Sequence, residues 1–225
     1  MASTRTTQLY DRRRGEVSLD EVERIVIWRA AVPLTATSVE LIFDLRLTQA
    51  IQSVWNGFTL ANIQYQHHLV QALPHLSLAI RDLSGDDPKP PFLALAKKLT
   101  QFPVRFDATG MFLSARGLNY PDDTVVLFLS PKPSEALLEA HRVASEELHG
   151  WNEGTWSHYR PERWVPHCTL AEHLVKGDIS AALNVVWDRL SGPVTGSVCG
   201  IRLINFGAGE LEELISQPLA AAPAS

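Results

Sequence analysis

Pro74-His75-Leu76-Ser77-Leu78-Ala79 returns 92 positions later as Pro166-His167-Cys168-Thr169-Leu170-Ala171, one pattern, P-H-x-S/T-L-A, written twice. In each copy a helix and a connecting loop precede the motif and another helix follows it. Two stretches that share letters and flanking elements build two similar halves, related by a pseudo-two-fold axis. Apolar and polar residues alternate through both copies, so each is a strand with its His and its Ser or Thr on one face.

The rest of the chain supplies elements around these strands. Ser18-Leu19-Asp20-Glu21 is a capping box for a helix to about Ala31, and residues 1–38 read as an appended polar leader and helix. Residues 39–47 have a strand pattern. Thr48 is placed to cap a helix whose Ile51, Val54, Trp55 and Phe58 share one face. The first motif strand covers 73–81, and Pro91 opens a helix bearing Phe92, Leu95 and Leu99. Strands follow at 104–113 and 124–130, joined by a loop around Asn119 to Asp123. Ser134 caps a long amphipathic helix, and Gly150 stands where a left-handed residue is wanted. The second motif strand covers 165–173, Asp178 caps a helix to Leu190, and 198–206 with 211–215 form a hairpin around 207–209. This order, with hairpins and no regular βαβ spacing, gives an α+β sandwich.

The motif also has a chemistry. Residues two apart on a strand project from the same side about 6.6 Å apart, so an imidazole and a hydroxyl reach one small group the size of a phosphate. Phosphodiester hydrolysis needs a base for water, an acid for the leaving alkoxide and donors for the nonbridging oxygens. Two His and two hydroxyls supply that set if the halves face each other. Histidine fits both proton roles because its ordinary pKa of about 6.5 lies near neutrality. No metal and no other cofactor is required.

The paired H-x-S/T motifs at this separation resemble the two-histidine (2H) phosphoesterase superfamily, whose bacterial members include 2'-5' RNA ligase and cyclic phosphodiesterase-like proteins. The resemblance covers about residues 39–219 and leaves 220–225 as a flexible tail. It implies a bilobed fold of two antiparallel-rich sheets flanked by helices, with a cleft between pseudosymmetric halves. It further implies metal-independent hydrolysis of 2',3'-cyclic phosphates or related 2'-5' nucleotide and RNA phosphodiesters. His75 and His167 match the catalytic histidines, and Ser77 and Thr169 match the phosphate-binding hydroxyls. Which histidine is acid and which is base stays open at this point. RNA ligation by the same groups, or a module that holds a nucleotide or RNA end without cleaving it, is the alternative.

Further residues are candidates for a substrate rim. Arg81 and His173 each lie six residues after a motif His and by strand parity face the same side, although either also suits a strand end that meets only water. Tyr159, Arg160, Arg163 and Trp164 precede the second motif and could stack a base or meet a phosphate; Trp164 equally suits core packing. His141 and His149 on the amphipathic helix, with His67 and His68 in a loop, read as solvated. Zinc is disfavoured, since H-E-x-x-H is absent and Ser and Thr are poor zinc ligands. Cys168 faces away from His167 and reads as buried packing.

With Lys+Arg 20 against Asp+Glu 25 and a net charge of −5, there is no broad basic surface for duplex DNA or an acidic membrane. A phosphate must be held locally. Two cysteines build no disulfide framework, no apolar run spans a membrane, and a cytoplasmic monomer acting on a nucleotide or RNA end is expected.

Overall fold

The computed structural model describes residues 35–65, 72–113, 124–207 and 210–222. The expected helix before Ala31, the loop at Asn119 to Asp123, His67 and His68 lie outside them. The described residues form seven strands: β1 Ala36–Phe43, β2 His75–Asp82, β3 Phe102–Leu113, β4 Thr124–Pro131, β5 Cys168–Val175, β6 Val194–Gly207 and β7 Glu210–Pro218. The described residues also form four α-helices: α1 Leu45–Leu60, α2 Lys89–Lys98, α3 Glu135–Glu147 and α4 Ile179–Leu190. The α+β class is as expected from the element order.

β1 begins earlier than the alternation suggested, so Ala36, Thr37 and Ser38, expected in the appended segment, pair with β2 and β6. It also ends earlier. Asp44 accepts from the backbone N–H of Leu47 through Oδ1, which starts α1 at Leu45 and takes the helix-capping role expected of Thr48. Thr48 instead donates its hydroxyl to the carbonyl of Phe43. The apparent alternation of residues 44–47 was therefore the first turn of a helix. Ser134 caps α3 as expected, accepting from Leu137 N–H, and Gly150 has φ +84°. Asp178 precedes α4 without a side-chain cap bond.

The strands run in the order β2-β1-β6-β3-β4-β5, all antiparallel, with β7 also on β6. The two expected sheets are thus one hydrogen-bonded sheet. The reason is the length of β6: along one edge Val194 to Val198 pair with β3 and Gly200 to Gly207 with β7, while β1 pairs along Val198 to Phe206. A short ladder joins the halves. The order reads the same from both ends in kind, with a motif strand outermost on each side.

Register slips at one equivalent place in both motif strands. Glu40 pairs with Ser77 but Val39 with Ala79, which leaves Leu78 extra. Phe128 pairs with Thr169 but Leu127 with Ala171, which leaves Leu170 extra. The Leu-Ala of the repeated motif is therefore a β-bulge in each half, and it reverses which face later residues occupy. Leu76, Leu78, Ala79, Cys168, Leu170 and Ala171 all join the apolar core beneath the helices.

Candidate active site

His75 opens β2 and His167 immediately precedes β5, each just after a proline that cannot donate to a sheet ladder. Their rings are anchored alike. His75 Nδ1 lies 2.7 Å from the carbonyl of Leu73, and His167 Nδ1 lies 2.7 Å from the carbonyl of Val165. A carbonyl only accepts, so Nδ1 carries hydrogen in both rings and Nε2 is the nitrogen that can exchange a proton. The two ends of the sheet meet here. Trp164 donates its indole N–H to the carbonyl of Ser77 at 3.2 Å, and the Cys168 thiol bonds to the backbone of His75. Ser77 is half-buried and Thr169 is buried on the same faces as their histidines.

The neighbours of the two rings differ. His75 Nε2 is 3.3 Å from Glu40 Oε1, and Glu40 is locked to Arg202, whose Nε and Nη2 each lie 2.7 Å from Oε2. Both members of that pair are almost wholly buried. His167 meets rings: Phe112 edge-on at 4.9 Å, Phe128 at 5.4 Å and Tyr159 at 6.4 Å between centroids. Burial pushes His167 down to about 4, helped by the charges of His75 and His158 and opposed by the Val165 carbonyl. On β5, Glu172 is pushed up to about 7 by burial and by the nearby charge of Glu40.

The rim candidates divide. The bulge at Leu78 turns Arg81 to the helix side, contrary to simple parity, where its guanidinium lies 4.7 Å over the Trp151 ring and donates to the carbonyl of Asp86. Ile80 and Asp82 take the histidine side instead, with Asp82 accepting from the Trp156 indole. His173 sits at φ +53° in a second slip of β5, so strand parity does not place it either. Arg160 is turned onto Glu153 and the carbonyl of Asn152. Trp164 stacks on His141 at 3.8 Å, a packing role, whereas Tyr159 is buried near His167. Arg163 is exposed.

His141 is a correction: it is buried, not solvated, with Nε2 donating to the carbonyl of Tyr159, and burial pushes it down to about 4. It lies one turn after Leu137 on the apolar stripe, a signal the solvated reading overlooked. Cys168 is fully buried as expected, its thiol pushed up to about 12. Glu40, Arg202, Phe112, Phe128 and Glu172 were not found from sequence. Glu40 left a trace as a lone charge in the apolar run V-E-L-I-F, and Arg202 in G-I-R-L-I. Among the described residues no cluster of three His, Cys, Asp or Glu side chains suits a metal ion.

A family model described as the 2'-5' RNA ligase superfamily matches residues 44–210, a span that contains both histidine motifs. The chain belongs to the 2'-5' RNA ligase superfamily. This is the two-histidine phosphoesterase family expected from the repeat. Its fold has solved counterparts: Escherichia coli LigT complexed with 3'-AMP is 14% identical with a TM-score of 0.53, covering 84% of this chain and 99% of LigT. LigT in apo form is 16% identical with a TM-score of 0.52, covering 83% and 98%. TT0787 of Thermus thermophilus is 18% identical with a TM-score of 0.50, over 83% and 98%. A search among curated proteins gave no match. At these identities the superfamily likeness shows a shared fold. No described helix of this superfamily member is long and apolar enough to cross a membrane.

Proposed function

We propose that this superfamily member is a metal-independent phosphodiesterase that opens 2',3'-cyclic phosphates or cleaves related 2'-5' nucleotide and RNA phosphodiesters. Family membership supports phosphodiesterase or ligase-type activity in general. The observation that carries the finer reading is the matched anchoring of two imidazoles, each with Nδ1 tied to a backbone carbonyl, so that proton transfer falls to Nε2 in both. One ring takes a proton from water as its oxygen attacks phosphorus; the other gives a proton to the departing ribose oxygen. Ser77 and Thr169 donate to nonbridging oxygens as negative charge grows there. A relative crystallised with 3'-AMP, a product-like phosphomonoester, agrees with a nucleotide as substrate. The same reading takes a nucleotide or RNA end as the partner of a cytoplasmic monomer.

The test is turnover of 2',3'-cyclic nucleotides in the presence of chelator. His75→Ala and His167→Ala should each lower the rate by about 10²- to 10⁴-fold with unchanged circular dichroism. Full activity in either variant, or loss of wild-type activity in chelator, overturns the mechanism. Tight binding of the nucleotide with no product from the wild type would instead mark a binding module.

A further inference from the structure

The two halves match in backbone but not in what stands behind each histidine. In the first half the residue paired with the motif Ser is Glu40, and the residue beyond it on β6 is Arg202. At the same two positions in the second half stand Phe128, paired with the motif Thr, and Gly110 beyond it on β3. A buried ion pair in one half is replaced by an aromatic ring lying over a glycine in the other. Glycine makes room for that ring, because a Cβ at Gly110 would fall inside contact distance of it.

We propose that this substitution breaks the symmetry of the site: Glu40, held by Arg202, is a positioning residue that makes His75 the proton donor, and Phe128 over Gly110 makes His167 the proton acceptor. The inference rests on the phosphodiesterase reading above. The Glu40 carboxylate faces Nε2, where it can accept from the N–H that an acid must carry. At 3.3 Å the contact is longer than the 2.7 to 2.9 Å of a charge-assisted bond, so Glu40 orients Nε2 without holding its hydrogen tightly. Arg202 occupies the other carboxylate oxygen and keeps Glu40 turned. Rings and burial around His167 disfavour charge, which leaves its Nε2 lone pair available.

The step balances. Water loses a proton to His167 Nε2 as the new P–O bond forms, the P–O bond to the ribose 2' or 3' oxygen breaks, and that oxygen takes the proton of His75 Nε2. The product is a phosphomonoester, and exchange with solvent returns both rings to their starting states. The charged and titratable groups around His75 are Glu40 on β1, Arg202 on β6 with Glu213 of β7 at 3.8 Å from it, and His167 on β5; His158 acts on His167, and Glu172 on Glu40.

The experiment compares a 2',3'-cyclic nucleotide, whose alkoxide needs an acid, with a nucleoside p-nitrophenyl phosphodiester, whose leaving group does not. His75→Ala should lose about 10²-fold or more on the first and recover most of that loss on the second; His167→Ala should lose equally on both. Glu40→Gln should behave as a weaker His75→Ala, with about a tenfold loss on the cyclic substrate alone. Glu40→Asp should restore part of the rate. Because Glu40→Gln leaves Arg202 buried without its carboxylate, Glu40→Gln/Arg202→Met serves as a folded control with the same expectation. Recovery of His167→Ala rather than His75→Ala, or equal losses of the Glu40 variants on both substrates, overturns the assignment. A wild type inert on both substrates overturns the phosphodiesterase reading itself, so the two failures are distinguishable.

Discussion

The first half, β2-β1-β6, holds its histidine against a buried Glu40–Arg202 pair, whereas the second, β5-β4-β3, holds its histidine against Phe112 and Phe128. Backbone anchoring of the rings and the bulge after each motif are the same in both. Duplication fixes geometry, then, and the side chains one and two strands inward fix electrostatics. A site with two identical histidines could run a proton in either direction across the substrate. On the proposed assignment, a carboxylate on one side and aromatic rings on the other give this site a preferred direction.

The largest expected effect of disturbing that comparison comes from breaking the ion pair. Arg202→Met alone leaves Glu40 buried without its partner and should cost about 3 to 5 kcal/mol in urea unfolding. Glu40→Gln/Arg202→Met should recover most of it, and a double variant as unstable as the single one would show that Arg202 acts through packing instead.

The second half has its own sensitivity, to acid. His141 is neutral in the folded protein down to about 4, and an unfolded histidine takes a proton near 6.5. Between these values the unfolded chain binds more protons, so stability falls as pH drops through that window and levels off below it. From pH 7 to pH 5 this amounts to about 2 kcal/mol for His141. His141→Gln keeps a donor for the Tyr159 carbonyl and removes the titration; its stability should fall less over the same interval. Parallel curves for variant and wild type would mean that His141 already titrates normally. His167 adds a loss of the same sign in the same window.

Gly110→Ala should have the smallest effect on stability, about 1 to 2 kcal/mol, because the Phe128 ring can turn aside. Its informative readout is activity. Displacing the ring admits water to His167, relieves the burial that pushes it down, and moves the acid limb of kcat/KM to higher pH. An unmoved limb would detach Phe128 from the behaviour of His167.

Much of this was legible in the chain because it is local. Alternation, the Ser134 cap and the apolar stripe of α1 depend on neighbours in sequence, and both motifs are read from six letters each. Errors arose where a local pattern had two meanings. Residues 44–47 alternate like a strand, yet the Asp44 carboxylate satisfies the Leu47 N–H and starts a helix. Arg81 was assigned to the histidine side by counting in twos, and one extra residue, Leu78, reversed the count. His141 looked like a surface residue until Trp164 covered it.

By itself the sequence determined that two strands would each present an imidazole and a hydroxyl on one side, since side-chain direction along a strand follows from backbone geometry alone. Only the tertiary structure decided that Glu40 and Arg202, 162 residues apart, would stand behind one ring, and Phe128 over Gly110 behind the other. Strand order and register choose such partners, and they are set by the whole sheet closing over its core, where no short stretch of letters holds the information.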